Sequence, residues 1–360
     1  TIDMRYEVTI AIPLYNAEAY IGETMQGALA QTFGSIEFLL IDDCGTDAGV
    51  DLVRTLQGTH ERGKDIRIVT HPRNLGVAAA RNTAIEQATG KYLFFLDSDD
   101  RITPDCIELL YRSIEHEGAQ VAIGSHRQVN AATGEVTREF ALPHLSAHEP
   151  GKLAALRFGE LHHVLGFYIW NILYDLSFVR DKQLRFQNLH IGEDFVFLYD
   201  LLPEVDSFVL LPEYTYAYII RPDSLSQHGT RKQIPLSEIE EQVYIRSYGK
   251  QRFEGLKDQP YAADMVTNLM KYSFEAASYV VDRRKLIVPP AGARQIRELL
   301  RHPLTAGEVW QLDRHRTSNL IYLLWSKLPY GIATLLLTGF LRLLQLSWSA
   351  KTTLRRLSTR

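Results

Sequence analysis

A chain of 360 residues, 46% hydrophobic and 23% charged, is long enough to bury a large core and reads as an ordinary globular protein of about two domains, which excludes extended disorder. Its two cysteines, Cys44 and Cys106, are too few for a disulfide framework or a four-cysteine zinc site and point to a reducing, cytoplasmic setting. The net charge of −4 is uneven: residues 314–360 hold eight Lys and Arg and no Asp or Glu, so the first 313 residues carry −12, and no nucleic-acid partner is expected.

The N-terminus leads directly into an apolar strand, without the basic, apolar and small-residue regions of an export signal. Strands then alternate with helical patterns, the signature of βαβ units and a mostly parallel sheet. Strands are predicted at Val8–Pro13, Ile36–Asp42, Ile66–His71, Tyr92–Leu96 and Val121–Ser125, with helices between them at Ala19–Gln31, Ala48–Arg62, Val77–Ala88 and Pro104–Glu117. Thr89-Gly90 reads as a helix end and Thr103-Pro104 as a helix start, with a cap before proline at the first helical position. Asn130–Glu135 reads as a hairpin turn, Lys152–Leu161 and Glu193–Leu202 as helices, and Ser207–Arg221 as two short aromatic strands. From about Pro235 the pattern is helical to the end, with no internal repeat.

The chemistry gathers at two strand ends. Phe94-Phe95-Leu96 runs straight into Asp97-Ser98-Asp99-Asp100, and ligands of open α/β sheets sit beyond the carboxyl ends of such buried strands. Asp97 and Asp99, two apart, can converge on one hard divalent cation that carries a nucleotide's phosphates; the alternative is an acidic turn capping the next helix. The second strand also ends in acids, Asp42-Asp43-Cys44-Gly45-Thr46-Asp47, where turn formation and capping are the alternatives and Asp47 is read as a cap. The first strand ends in Ile12-Pro13-Leu14-Tyr15-Asn16 rather than a glycine-rich turn, and no Gly-x4-Gly-Lys loop occurs, so phosphate has to be held by a metal.

Taken in order, Pro13-x-Tyr15-Asn16, Asp42-Asp43-x-x-Thr46-Asp47, Asn74-x-Gly76-x4-Arg81-Asn82 and Asp97-Ser98-Asp99-Asp100 resemble the successive motifs of the family 2 glycosyltransferases, inverting enzymes with a GT-A fold. The resemblance covers roughly the first 125 residues. It implies an α/β fold, a Rossmann-like and mostly parallel sheet flanked by helices, followed by a helical C-terminal region. It also implies that Pro13, Tyr15 and Asp43 line the base and ribose pocket, that Asp42, Arg81 and Ser98 lie by the donor, and that Asp97 and Asp99 hold the donor through Mg²⁺ or Mn²⁺. Cys44 departs from the glycine usual in the family, and Gly45 from the usual serine. On this basis residues 1–234 form the catalytic domain, donor-binding over 1–125 and acceptor-side over 126–234, with 235–360 as the helical region. The implied activity is transfer of a sugar from a nucleotide-sugar, a UDP-sugar, to a hydroxyl of a glycan or lipid-linked acceptor in surface polysaccharide synthesis. A catalytically silent protein of the same fold is the alternative.

An acceptor hydroxyl must lose its proton as it attacks, which requires a carboxylate base from a separate element. Ile191-Gly192-Glu193-Asp194-Phe195 supplies it and resembles the family's Glu-Asp motif; Asp194 is the expected base, while Glu193 beside it suits the positive end of a helix dipole. On the acceptor side, Trp170 offers a face for a sugar ring or a core aromatic, and Asn171 a bond to an acceptor hydroxyl or to backbone. His228 reaches the diphosphate or is a loop residue. The tail is basic and apolar: Leu328 to Leu341 has no charged residue and contains Pro329-Tyr330-Gly331, too short a run for a span. Residues 314–360 are expected either to lie peripherally on an anionic membrane surface or to pack on the protein or in a homo-oligomer.

Overall fold

The computed structural model describes residues 6–221 and 233–339. The chain divides into two compact units, Thr1–His228 and Gly229–Arg360.

Unit 1 is built on one sheet with strands β1 (Tyr6–Leu14), β2 (Ile36–Asp42), β3 (Ile66–Thr70), β4 (Gly90–Phe95), β5 (Arg101–Ile102), β6 (Val121–Asn130), β7 (Val136–Phe140), β8 (Leu145–His148), β9 (Ile172–Asp175) and β10 (Ser207–Ile220). Their order is β3-β2-β1-β4-β9-β6-β10-β5, with β7 added on β6 and β8 on β10. The β3-β2-β1-β4 half is parallel. It is apolar on both faces, with Ile10, Ile12, Phe38, Leu40, Phe94 and Phe95 all buried, because helices cover both sides. The helices of unit 1 are α1 (Ile21–Leu29), α2 (Gly49–Thr59), α3 (Val77–Gln87), α4 (Cys106–Glu117), α5 (Lys152–Phe158), α6 (Leu176–Asp181) and α7 (Glu193–Leu201).

The second half of the sheet is mixed. β9 runs antiparallel to both β4 and β6, and β10 parallel to β6. The expected hairpin at Asn130–Glu135 joins β6 to antiparallel β7. Ser207–Ile220 is one strand, not two: Pro212 cannot donate to a ladder, and register shifts around Tyr214 absorb the irregularity so that pairing with β6 continues to Ile220. Thr103-Pro104 does not open α4, which starts at Cys106; the Thr103 hydroxyl donates to Asp105 instead. Gly90 opens β4 rather than ending α3, and a Cβ there would stand 2.5 Å from the Thr9 amide nitrogen.

Unit 2 consists of α8 (Leu236–Glu254), α9 (Ala262–Asp282), α10 (Ala293–Leu300), α11 (Ala306–Gln311) and α12 (Arg316–Ser326), with a short parallel pair β11 (Ile234–Pro235) and β12 (Ile287–Val288). Residues 330–339 are also helical. Ala333 and Leu337 from that stretch join Ile239, Ala277, Ile296 and Leu299 in the unit's core. Ile332, Leu335 and Leu336 of the same stretch face outward. Among the described residues no helix is long and apolar enough to cross a membrane.

Candidate active site

The carboxyl ends of β1, β2 and β4, neighbours in the parallel part of the sheet, deliver the first, second and fourth motifs to one edge, and the third runs from the loop after β3 into α3. The loops after β1 and β2 clasp each other: Thr46 N donates to Asn16 Oδ1 at 2.8 Å, Glu18 N to Asp47 Oδ2 at 2.7 Å, and Gly45 N to Asp42 Oδ1 at 3.0 Å. Asp47 also accepts from Gly49 N at 3.0 Å, next to the start of α2. Asn16 and Cys44 hold left-handed backbone, φ 47° and 59°. Pro13 is half-buried and Tyr15 exposed beside them. Asp43 is buried and latches a third loop, accepting Leu75 N at 2.8 Å and Gly76 N at 2.7 Å, with His71 Nδ1 2.7 Å away. Gly76 at φ 91° then turns the chain into α3, which carries Arg81.

Arg81 is the hub. Its side chain is 4% exposed, and Nη2 donates to Asp97 Oδ1 at 3.1 Å while Nη1 donates to Asp194 Oδ1 at 2.9 Å and to Glu193. Burial alone would lower its pKa, but Asp194, Asp97 and Glu193 outweigh that and raise it, so it is permanently cationic. Glu193 and Asp194 form the first turn of α7, aimed by Gly192 at φ 70°. Asp194 is pushed well above the ordinary carboxylate range by burial; Arg81 opposes the shift, and Glu193 and Asp97 add to it.

The acidic turn after β4 is no helix cap, since α4 starts at Cys106 without a side-chain cap. Thr24 Oγ1 donates to the Ser98 and Asp100 carbonyls, fixing the turn from α1. Asp100 is buried and accepts from Tyr216 Oη and Ile219 N, both at 2.8 Å, which ties the turn to β10. Asp99 faces the crevice. Burial and then Asp97 raise its pKa, against Arg221, whose Nη1 donates to Asp99 Oδ2 at 2.5 Å and Nη2 to the Asp99 carbonyl at 2.6 Å. The Arg221 guanidinium also lies 3.9 Å over the Tyr20 ring. Sequence reasoning missed Arg221; its only signal was a lone cation ending the aromatic strand that follows the acids.

For Trp170 and Asn171 the geometry matches the packing alternative of the two stated for each. Trp170 is buried, stacked between Tyr168 at 4.2 Å and Tyr216 at 4.5 Å, so its faces are taken by core aromatics. Asn171 is fully buried; its Nδ2 donates to the Gly124 and Ser125 carbonyls and its Oδ1 accepts from Thr215, which pins β9 to β6 and β10. Glu193 is more than a helix-dipole charge, because it shares Arg81 with Asp194. His228 lies outside the described residues.

The carboxylates of Asp97, Glu193 and Asp194 stand against the Arg81 guanidinium and that of Asp99 against Arg221. Each of Asp97 and Asp99 uses one side-chain oxygen on its arginine, and two acidic oxygens with ligand phosphates suit Mg²⁺ or Mn²⁺. Among the described residues no group of three or more His, Cys, Asp or Glu is arranged to hold a metal.

Residues 9–178 match the family model described as Glycosyl transferase family 2. Over that stretch the chain is similar to glycosyltransferase family 2. It is 28% identical over 287 residues to the succinoglycan biosynthesis protein ExoO of Rhizobium meliloti (strain 1021), covering 78% of this chain and 77% of that protein. It is 28% identical over 237 residues to the glycosyltransferase GlyA of Streptococcus pneumoniae serotype 4, covering 63% of this chain and 32% of GlyA. Among solved structures, residues 1–349 of S. aureus TarS in complex with UDP-GlcNAc superpose with TM-score 0.62 at 14% identity, covering 89% of this chain and 90% of that one. That likeness establishes the fold, GT-A with a helical C-terminal region, and the family motifs fall on the strand ends described above.

Proposed function

We propose that this protein is an inverting family 2 glycosyltransferase that transfers a sugar from a UDP-sugar to a hydroxyl of a glycan or lipid-linked acceptor in polysaccharide synthesis. The observation that carries the reading is Arg81, which joins Asp97 at the end of β4 to Asp194 at the start of α7. One buried cation thereby fixes the donor-side acid and the candidate base in a single site. The UDP-GlcNAc bound by TarS and the succinoglycan pathway named for ExoO support the donor and the process.

In this mechanism Pro13, Tyr15 and Asp42 border the base and ribose, and Asp43 shapes that pocket through the loop leading to α3. Asp97 and Asp99 would hold Mg²⁺ or Mn²⁺, which when bound would supply Lewis-acid stabilisation of the departing diphosphate. Asp194 accepts the proton of the acceptor hydroxyl as its oxygen bonds the anomeric carbon and the bond to the diphosphate oxygen breaks. A carboxylate whose affinity for protons is raised by burial is a stronger base once ionised. Arg81 holds Asp194 in orientation and balances the ionised form. A silent protein of the same fold would have no need to keep these acids poised on one guanidinium.

The chain also carries an outward apolar face at Ile321, Leu324, Ile332, Leu335 and Leu336, with Arg314, Arg316 and Lys327 in the same stretch. That combination fits peripheral binding to an anionic membrane, where a lipid-linked acceptor resides. A panel of sugar nucleotides tested with Mn²⁺ for hydrolysis and thermal stabilisation checks the activity; a response to a UDP-sugar is expected, and none to any sugar nucleotide would overturn it.

A further inference from the structure

Unit 2 contains a cavity of about 550 Å³ between α8 and the turn after α10, with Tyr244, Tyr248, Lys250 and Gln251 on one side and Arg301 and His302 on the other. Lys250 is only 4% exposed, yet its Nζ is held by two carbonyls, Glu298 O at 3.1 Å and Leu299 O at 2.8 Å, at the C-terminal end of α10. An ammonium has three N–H groups, so those bonds leave one. Burial pushes Lys250 down to about 7, Arg301 and Arg246 add to the shift, and Glu298 opposes it. The acids nearby are spoken for: Glu298 pairs with Arg301 at 3.5 Å and Glu254 with Lys257 at 2.7 Å. His302 contributes no charge, because its Nδ1 accepts from Leu304 N at 3.1 Å and its Nε2 lies 3.1 Å from Asn319 Oδ1, the pattern of one neutral tautomer. With a pKa of about 7 the Lys250 ammonium is only partly populated at neutral pH, and an anion in the cavity would favour the charged form.

The remaining wall comprises Tyr244, Tyr248, Ser247, Pro303 and Glu254, whose carboxylate is paired with Lys257. Tyr244 and Tyr248 sit one helical turn apart on α8, rings 6.1 Å between centroids, and Tyr244 is exposed. Aromatic faces with a polar edge suit the apolar face of a pyranose, and Gln251 adds an amide for hydroxyls.

We propose that this cavity binds an anionic sugar unit, with Lys250 and Arg301 on its carboxylate or phosphate and Tyr244 and Tyr248 against its ring. This rests on the glycosyltransferase reading and narrows the acceptor to a glycan that carries negative charge. Isothermal titration of the full chain at slightly acidic pH and low salt, with tetragalacturonate, N-acetylglucosamine 1-phosphate and neutral maltotetraose, tests it and separates the two anion sources. At least one anionic probe is expected to bind about tenfold or more tightly than maltotetraose, and Lys250→Met and Arg301→Ala each to weaken it by roughly tenfold. The Arg301 side chain is 64% exposed, so its removal does not threaten folding. Equal binding of neutral and anionic probes, or anion affinity unchanged in Arg301→Ala, overturns the proposal. Titration with UDP and Mn²⁺ in parallel distinguishes the failures: UDP binding without any anionic-probe binding sinks only the cavity assignment, whereas a chain that binds no sugar nucleotide sinks the functional reading itself.

Discussion

Arg81 Nη1 donates to Asp194 Oδ1 at 2.9 Å across 113 residues of sequence. The contact joins the first turn of α7 to α3, and it explains how the Asp194 carboxylate acquires a fixed place against Asp97 at the end of β4.

Asp194→Asn keeps the shape of the side chain and removes the proton acceptor. Turnover is expected to fall by about a hundredfold or more, with donor affinity nearly unchanged. In the parent enzyme, turnover is expected to rise with pH through a pKa above the ordinary aspartate range, because the base works only when ionised and burial raises its pKa. Glu193→Gln leaves Asp194 in place and is expected to cost stability more than turnover. Were Glu193→Gln the dead variant, the base would be reassigned. Product anomeric configuration, read by NMR, is expected to be inverted relative to the donor.

Asp99 is engaged by Arg221, so a metal ion has to compete with a guanidinium for it. Asp99→Ala is expected to abolish Mn²⁺-dependent UDP binding while the fold persists. Arg221→Met, which frees the carboxylate, is expected to tighten Mn²⁺ binding in the absence of nucleotide, as measured by electron paramagnetic resonance of free Mn²⁺. Unchanged metal affinity in both variants refutes the ligand assignment.

The parallel half of the sheet and the acids at its edge were legible because both are local. Runs such as Phe38–Ile41 and Leu93–Leu96 are apolar on both faces, and the carboxylates follow them directly in sequence. In the mixed half β6, the Asn130–Glu135 hairpin and the strand character of 207–221 were legible too, but not β9 or the pairing, which depend on partners far away in the chain, nor the continuity of β10, where Pro212 imitates a break that a bulge absorbs. Trp170 and Asn171 illustrate the same limit for site residues: an aromatic and an amide beside a crevice read alike whether they face ligand or core, and only the stacking on Tyr216 and the bonds to Gly124 and Thr215 decide. Arg81 belonged to a motif, but its role as the hub depended on α7 closing on it.

Cys44 occupies left-handed backbone at φ 59°, which costs a side chain with a Cβ about 1–2 kcal/mol. Cys44→Gly relieves that strain and gives back part of it through greater freedom of the unfolded chain. A net gain of about 0.5–1 kcal/mol is expected from chemical denaturation. A loss in stability would mean that the thiol's packing outweighs the backbone strain.

His126 is buried, stacked on Phe140 at 4.4 Å with Tyr168 and Trp170 at its edges, and burial lowers its pKa to about 3, with Arg138 adding to the shift. The unfolded chain therefore takes up a proton near pH 6.5 that the folded chain refuses until about 3. Stability contributed by the neutral ring is fully present above the unfolded pKa and falls as the pH drops through that window, with a slope approaching about 1.4 kcal/mol per pH unit. His126→Phe is expected to flatten this acid limb by about one proton. An unaltered slope would place the ring's protonation elsewhere.

The C-terminal stretch has one face in the core and one outside it, which determines how membrane binding must be tested. Deleting residues from Leu328 onward removes Ala333 and Leu337 from the core of unit 2, so loss of vesicle binding in that truncation would not separate anchoring from unfolding. Leu324 and Leu335 are 68% and 71% exposed and contribute little to packing. Leu324→Gln with Leu335→Gln is therefore expected to leave the melting temperature nearly unchanged and to weaken flotation with phosphatidylglycerol vesicles several-fold, since each leucine that inserts contributes about 1.5–3 kcal/mol when fully buried and less at an interface. Binding by the parent protein is expected to decline as salt rises, because the basic residues of this stretch meet the anionic surface through screened charge. Equal flotation of parent and double variant would exclude this face as the anchor, and oligomer dissociation in the double variant without any change in flotation would assign it to contact between copies of the chain.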